Sequence, residues 1–291
     1  MGADRLVGGA LGALAAGSVL LFGLVLAFLL HEAAPVLLSG DALRFVASTG
    51  WFPLEQRFGV LPMVWATLVA MLGAMLLAAP LGLGAAIYER FYASPHVARV
   101  FRSLVALLAG IPSVVFGLWG LTVLVPLIAG WQPPGASLLA AILVLALMIL
   151  PTVALTSASA LAAVPQDWLR GAAALGLARK GLILGVALPA AGPGVVGGML
   201  LATARALGET MAVLMVAGNV VQTPGSLFDP VRVLTANIAL EMAYAMGDHR
   251  AALFASGLLL ALLVLGLSWV AARAGRTARS TQSARSGPHA A

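Results

Sequence analysis

Residues 103–166 read SLVALLAGIPSVVFGLWGLTVLVPLIAGWQPPGASLLAAILVLALMILPTVALTSASALAAVPQ, without a single charged side chain. A helix needs roughly 20 apolar residues to cross the hydrocarbon core of a bilayer, so this stretch is long enough for two crossings. Gly130, Pro133, Pro134 and Gly135 interrupt it, as a tight turn between two spans would. The stretch therefore predicts an integral membrane protein.

The rest of the chain has the same character. Of its 291 residues, 62% are hydrophobic and 9% are charged, whereas soluble domains carry about 25% charged residues. The apolar runs do not alternate apolar and polar residues as barrel strands do, so we expect an all-α integral membrane fold. The six predicted transmembrane helices are residues 6–30, 62–88, 103–129, 137–163, 193–218 and 251–273.

The first run, residues 6–30, follows Arg5 as the apolar part of a cleaved signal peptide would. It is about 25 residues long, whereas such segments have roughly 7–15. We therefore expect it to stay as a membrane helix. The chain contains no cysteine, which excludes a disulfide framework and thiolate chemistry.

Lysine and arginine residues predict the orientation of the chain in the membrane. If the N-terminus lies inside, the inner segments hold eleven of these residues and the outer segments hold four. The outer segments are then residues 31–61 and 219–250. This bias predicts that both termini are cytoplasmic.

Three regions follow from these assignments. Residues 1–61 form the first transmembrane helix and an outer segment, and residues 62–273 form a core of about five transmembrane helices. Residues 274–291, rich in Ser, Arg and Ala, are expected to be a disordered cytoplasmic tail. No Gly-rich loop ends in Gly-Lys-Ser/Thr, so ATP would have to be bound by another chain.

The predicted inner loop, residues 164–192, begins VPQDWLRGAAALG and later contains Leu188-Pro189. Pro165 can start a short helix, because a missing N–H is tolerated in the first turn. Gly176 permits a sharp turn after that helix. A helix–glycine–helix unit suits docking into a groove on a partner protein, although an ordinary amphipathic loop between two spans would have the same spacing.

Two charged residues lie within the predicted span of residues 193–218. Arg205 and Glu209 are four residues apart, so on a continuous helix they share one face and can pair. A charge at this depth costs at least about 2.5–3.5 kcal/mol. The pair could serve an anion pathway, with the planar Arg205 guanidinium binding an oxyanion and Glu209 orienting it. The alternative is an ion pair that only joins helices.

The loop of residues 164–192 resembles the coupling loop, or EAA loop, of ABC importer permeases. Gly176 and Pro189 keep that family's spacing, and Val164-Pro165 match its usual lead-in. Arg170 and Gly171 stand where the family has Glu and its first Ala, which leaves the contact of that Glu in question. The resemblance implies an ABC importer type I (MetI-like) permease fold. It also implies a coupling role toward an ATPase for Pro165, Arg170, Gly171, Ala172, Ala173, Gly176 and Pro189.

Residues 205–213, RALGETMAV, followed by Gly218-Asn219, resemble the C-type permease subunit of the phosphate-specific ABC importer. The sister A-type subunit continues with Ala-Pro-Leu-Leu after Gly-Glu-Thr. Weaker matches are GIPSVVFG at 110–117, PLGLGAAIY at 80–88 and DPVRVLTANIALEM at 229–242. The resemblance implies that the substrate pathway includes Arg205, Glu209, Thr210 and Asn219.

The same resemblance implies a set of partners in a bacterial inner membrane. The chain would form half of a phosphate pathway, in a heterodimer with a homologous A-type subunit. Two cytoplasmic ATPase subunits would bind ATP and Mg, and an extracytoplasmic protein would deliver phosphate. This chain itself would bind membrane lipid but no cofactor, metal or nucleic acid, and would not be an enzyme.

Three rival functions remain open at this point. A permease for another oxyanion or small solute would share the superfamily. An ion-coupled secondary carrier would need an inverted repeat with broken helices in both halves, and RALGE has no second copy. A membrane scaffold would not need Arg205 and Glu209. The histidines, which we expect in solvated loops and which lack metal-ligand spacing, are His31, His96, His249 and His289.

Overall fold

The protein is mostly helical in the computed structural model, which describes residues 2–39 and 42–285. Within these residues, one two-stranded antiparallel hairpin is present, in which Trp51 lies opposite Phe58. The elements are α1 (Gly2–Leu38), α2 (Ala42–Ala47), β1 (Trp51–Phe52), β2 (Arg57–Phe58), α3 (Leu61–Phe91), α4 (Pro95–Ala109), α5 (Ser113–Trp119), α6 (Val125–Ala129), α7 (Leu138–Ala162), α8 (Gln166–Ala174), α9 (Arg179–Leu182), α10 (Leu188–Gly208), α11 (Met211–Val216), α12 (Leu234–Glu241) and α13 (Gly247–Arg285).

The number of membrane crossings agrees with the sequence. In the described part of the chain, five helices are long and apolar enough to cross a bilayer, and a bent pair, Pro95–Ala109 with Ser113–Ala129, can supply a sixth crossing. The five are Val7–Leu38, Leu61–Phe91, Leu138–Ala162, Arg179–Gly208 and Gly247–Trp269. The prediction of an all-α membrane protein with about six spans is confirmed.

The third predicted span, residues 103–129, is not one straight helix, because α4 and α5 meet at an angle of 89°. Gly110 closes α4 by donating its N–H to two carbonyls of the last turn, at 3.0 and 3.2 Å. Pro112 then has extended torsions (φ −59°, ψ 142°) and no N–H with which to continue the helix. The span of residues 103–129 is therefore a bent pair of helices.

The fifth predicted span, residues 193–218, has different bounds in the structure. The helical stretch covers Arg179–Gly208, so it begins within the predicted loop and ends before Glu209. A π-helical turn over Ile183–Ala187 joins α9 to α10. Pro189 follows this turn in the first turn of α10, where its missing N–H is tolerated.

α7 forms the centre of the bundle. In the most apolar stretch of α7, 67% of the residues are buried. None is buried in the corresponding stretch of α1, and α1 lies at the periphery against α13. Small residues allow α3 and α10 to approach α7 closely. A Cβ on Gly82 would lie 2.8 Å from the Cβ of Val153, and one on Gly198 would lie 2.1 Å from Thr156 Oγ1.

α3 separates the two ends of the molecule. Its 31 residues extend over about 46 Å. The hairpin precedes its first turn, and we call this side the hairpin end. At the other side, which we call the loop end, the Arg179 guanidinium lies 5.2 Å from the centre of the Tyr92 ring, so α9 contacts the end of α3.

α13 includes residues 274–285, which belong to the tail that the sequence predicts to be disordered. Several of these residues are Ala and Arg, which have high helix propensity and allow the last span to extend. Residues 286–291, with His289, lie outside the described residues.

Candidate substrate pathway and coupling loop

The helix that carries Arg205 ends before Glu209. α10 stops at Gly208, Glu209 has extended torsions (φ −70°, ψ 130°), and α11 begins at Met211. Glu209 Oε1 accepts a hydrogen bond from the N–H of Ala212 at 3.1 Å, so its carboxylate caps α11. The prediction that Arg205 and Glu209 pair on one helical face is therefore wrong. We call Glu209 and Thr210 the 209–210 break.

Arg205 lies in the last turn of α10, on an exposed face. Within the described part of the chain, its guanidinium makes no hydrogen bond or ion pair. All five of its N–H donors are thus open to a ligand or to a partner surface. This arrangement differs from an ion pair that joins helices, in which the guanidinium donors are used within the protein.

The other three predicted pathway residues lie at the two ends of α11. Glu209 caps its first turn, and the Thr210 hydroxyl donates to the carbonyl of Gly208 at 3.3 Å. At the opposite end, Asn219 Nδ2 donates to the carbonyl of Leu214 at 2.8 Å. Because α11 has six residues, these contacts lie about 9 Å apart along its axis. The structure therefore brings the four residues to one short region of the bundle.

The chain turns back after α11 at Gly218 and Asn219, which both have positive φ (88° and 57°). Glycine is required at the first position, since a Cβ there would lie 2.6 Å from the Pro230 Cβ. The returning segment hydrogen-bonds to this turn, with the N–H of Asn219 donating to Val231 O at 3.0 Å. The turn thus places Asn219 beside the residues that lead into α12.

A buried polar cluster, which the sequence analysis did not identify, lies next to this turn. Arg232 donates to Glu241 Oε1 at 2.6 Å and to Asn237 Oδ1 at 3.0 Å. Trp51 Nε1 donates to Glu241 Oε2 at 2.7 Å, and His249 Nε2 lies 2.8 Å from the same oxygen. We call these five residues the Glu241 cluster. It joins the hairpin, the returning segment, α12 and α13.

The position of His249 contradicts the prediction that this histidine is solvated. Its side chain is only 12% exposed, so it is not the solvated loop residue that its isolation in the sequence predicts. The sequence signal for the cluster is its charge pattern, because Arg232 and Glu241 are the only charges in the mostly apolar residues 231–242. Among the described residues, no three His, Asp or Glu side chains come together as a metal site.

The loop of residues 164–192 has the helix–glycine–helix form that was predicted. Pro165 precedes α8 and Gly176 follows it with φ 79°. The N–H groups of Gly176 and Leu177 donate to Ala173 O and Ala172 O at 3.0 and 3.2 Å, which is the Schellman arrangement of a helix end. α9 then leads into α10. A β-carbon at position 176 would meet no atom within 4 Å, so the requirement for glycine is one of backbone torsion.

One face of α8 is anchored to the bundle and the other is open. Leu169 and Ala172 are buried, and Leu169 packs in one cluster with Leu161 of α7 and Ala191 of α10. Arg170 and Asp167 approach to 3.9 Å on the exposed side, with side chains 79% and 91% exposed, so their ion pair is worth little. Apolar side chains are exposed here as well, and they are Trp168, Leu175 and Leu177. Such a face fits a protein partner better than water.

Residues 78–280 match the family described as "Binding-protein-dependent transport system inner membrane component". The chain is 40% identical over 221 residues to the probable ABC transporter permease protein YqgH of Bacillus subtilis (strain 168), covering 75% of this chain and 69% of the relative. It is 35% identical over 246 residues to the phosphate transport system permease protein PstC of Mesorhizobium japonicum, covering 77% and 75%.

A similar fold occurs in a chain of the methionine ABC transporter MetNI in an inward-facing conformation. The TM-score is 0.59 at 21% sequence identity, with 76% of this chain and 94% of that chain covered. This likeness concerns the fold and confirms the MetI-like architecture that the sequence predicts. It gives no information on the substrate of this protein.

Proposed function

The chain belongs to the family of binding-protein-dependent transport system inner membrane components, and from this premise we propose that it is a permease subunit of an ATP-driven phosphate importer. It would form half of the pathway for inorganic phosphate across the cytoplasmic membrane. The observation that carries this proposal is Arg205, whose guanidinium has no partner in the described part of the chain although it lies in a membrane-spanning helix. A cation in such a helix is costly unless a ligand or water meets it.

Phosphate is favoured over other oxyanions by two observations. Relatives from several bacteria, at 33–35% identity, are named phosphate transport system permease protein PstC. The residues after the break, Met211-Ala212-Val213, also resemble those of the C-type permease of the phosphate-specific importer. A guanidinium with free donors binds a tetrahedral oxyanion through two parallel hydrogen bonds.

The proposed function includes a set of partner chains, and one surface of this chain supports one of them. The open face of α8, with Arg170, Gly171 and Ala173 exposed beside Trp168, would dock into one of two ATPase subunits that bind ATP and Mg. A homologous A-type subunit would complete the pathway as a heterodimer, and an extracytoplasmic phosphate-binding protein would deliver the substrate. On this proposal ATP hydrolysis belongs to the ATPase chains and the present chain is a transport subunit, not an enzyme.

We assign the loop end to the cytoplasm and the hairpin end to the outside, with both termini cytoplasmic, because of the distribution of lysine and arginine. Since the chain lacks cysteine, single cysteines can report this. Gly171→Cys in α8 should react with an impermeant thiol reagent only from the inside, and Glu55→Cys in the hairpin only from the outside. Labelling of position 171 in intact cells would contradict the assignment.

The main test is uptake of radiolabelled phosphate by cells that lack other phosphate carriers and express the whole transporter. We expect Arg205→Leu to lower uptake at least about 30-fold, since losing a charged partner costs roughly 2 kcal/mol or more. Arg205→Lys should give an intermediate rate, because an ammonium lacks the planar fork. Wild-type uptake by an assembled Arg205→Leu variant would overturn the proposal.

Two controls separate this function from its rivals. Arg57→Gln removes another exposed arginine, 66% exposed and only 3.4 Å from Glu55, and should leave uptake unchanged. An ion-coupled carrier would keep transporting with an inactive ATPase partner and would stop when the ion gradient is dissipated. The proposed importer should show the opposite dependence.

A further inference from the structure

The Glu241 cluster contains a carboxylate with three donors from three separate parts of the chain. Arg232 lies in the returning segment, Trp51 in β1 and His249 in the first turn of α13. Trp51 and Glu241 are 190 residues apart in sequence. The cluster is therefore a cross-link between distant segments at the hairpin end.

The side chains that form this cross-link are largely buried. The side chains of Glu241 and Arg232 are 8% and 19% exposed, and that of His249 is 12% exposed. An ionised carboxylate at such a site is stable only while donors surround it, because water cannot replace them. Movement of α12 away from the hairpin or from α13 would remove one of the donors to this carboxylate.

The opposite end of α12 contacts the 209–210 break. Thr235, in its first turn, donates its hydroxyl to the carbonyl of Glu209 at 2.8 Å. The N–H of Leu234 donates to Thr67 Oγ1 of α3 at 3.0 Å. α12, which is eight residues long, thus contacts the Glu209 carbonyl at its first turn and carries Glu241 at its last residue.

The cluster also reaches the other end of α11. Arg232 donates its Nε–H to the carbonyl of Asn219 at 2.9 Å, and Asn219 in turn donates to the last turn of α11. Contacts from α12 and from the cluster therefore hold α11 at both ends. Thr235 acts at Glu209, and Arg232 acts at Asn219.

We propose that Glu241 is a positioning residue for the 209–210 break. Its carboxylate fixes Arg232 and α12, and these fix the Glu209 carbonyl and Asn219 on either side of α11. It acts through these groups without touching the substrate. The proposal rests on the proposed function only in taking the break as part of the transport pathway.

The test uses a cysteine reporter at Gly208, which is exposed and has no atom within 4 Å of an added Cβ. In the assembled transporter, the rate at which a small thiol reagent labels Gly208→Cys reports the conformation of the break. We expect Glu241→Gln, which has one acceptor oxygen where the carboxylate has two, to change this rate by at least about threefold. Thr235→Val, which removes the contact with Glu209, should change it similarly.

The double variant Glu241→Gln, Thr235→Val distinguishes a positioning role of Glu241 from a general loss of rigidity in the protein. If Glu241 acts through Thr235, the double variant should differ no more than the larger single variant, because coupled sites are not additive. Trp51→Phe keeps an aromatic ring at this position and removes one donor to Glu241, so it should change the labelling rate less and in the same direction. This variant serves as a second test where Glu241→Gln assembles poorly. Glu55→Gln in the exposed hairpin is the control and should leave the rate unchanged.

Unchanged labelling in Glu241→Gln and Trp51→Phe, or additive effects in the double variant, would overturn the proposal. The readout needs no phosphate, so it is separate from the proposed function. The wild-type transporter could fail to move phosphate while the labelling rates of Gly208→Cys in the variants change as expected. That result would refute the phosphate assignment and leave the positioning role in place.

Discussion

Two arginine–glutamate sites in this molecule have opposite arrangements. Arg205 and Glu209 are four residues apart but do not pair, because the helix ends between them and Glu209 turns to cap α11. Arg232 and Glu241 are nine residues apart and join at 2.6 Å inside the protein. The first site leaves a guanidinium open, whereas the second uses its guanidinium on three protein acceptors.

The difference shows what each arginine can do. A buried and fully bonded guanidinium such as that of Arg232 fixes the segments that it joins and has little capacity left for a ligand. The exposed guanidinium of Arg205 fixes nothing in the described part of the chain, so its donors stay open. Loss of Arg232 should therefore affect stability most, and loss of Arg205 should affect transport most.

The largest expected effect on stability is that of Arg232→Leu. Glu241 would remain buried without its cation, and breaking a buried pair in this way costs about 3–5 kcal/mol. We expect a large fall in the unfolding midpoint of the purified transporter and less assembled complex in the membrane. An Arg232→Leu variant with wild-type stability would remove the contrast between the two sites.

The double variant Arg232→Leu, Glu241→Leu sharpens this test. Removing both charges should recover part of the lost stability, because apolar replacement of a buried pair is often neutral. The recovery should be incomplete, since Trp51 and His249 lose their acceptor. A double variant as unstable as the sum of the two single variants would show that the pair has no coupling.

The sequence predicted the larger features because they depend on local composition. Long uncharged runs set the number of spans, and the pattern from Pro165 to Gly176 set the helix–glycine–helix form of the loop. Each of these features requires only neighbouring residues in the chain.

The details that the sequence missed depend on contacts between distant residues or on single backbone turns. Spacing predicts a pair only if the helix continues, and a lone glycine such as Gly208, which occurs within helices as well as at their ends, does not decide whether it stops. Glu241 and Trp51 are far apart in sequence, so their contact could not be inferred from either segment. For the same reason His249, isolated in sequence, was not expected inside the protein.

An intermediate effect is expected at Gly176 in the coupling loop. Its φ of 79° costs an L-residue roughly 1–2 kcal/mol, so Gly176→Val should distort the end of α8 while the membrane helices stay folded. We expect ATP hydrolysis by the assembled transporter to continue while phosphate uptake falls, measured together in proteoliposomes.

Gly84→Ala is the control for that variant. Gly84 lies within α3, outside the coupling loop, and an added Cβ would meet no atom within 4 Å. Alanine should therefore stabilise the helix by up to about 1 kcal/mol and leave coupling intact. Full uptake by Gly176→Val would count against a coupling role for this turn.

The smallest effect on stability is expected for Arg205→Leu together with Glu209→Leu. Arg205 is exposed and should contribute within about 0.5 kcal/mol, while loss of the Glu209 cap should cost about 1 kcal/mol. Because the two side chains do not pair in the structure, their effects should add to within roughly 0.5 kcal/mol. Unfolding midpoints of the two single variants and the double variant test this, and a double variant clearly more stable than the sum would reveal an ion pair.

Phosphate uptake should nevertheless be lost in the assembled double variant, since the open guanidinium is gone. Normal uptake would refute the pathway role and leave both residues with a structural role only.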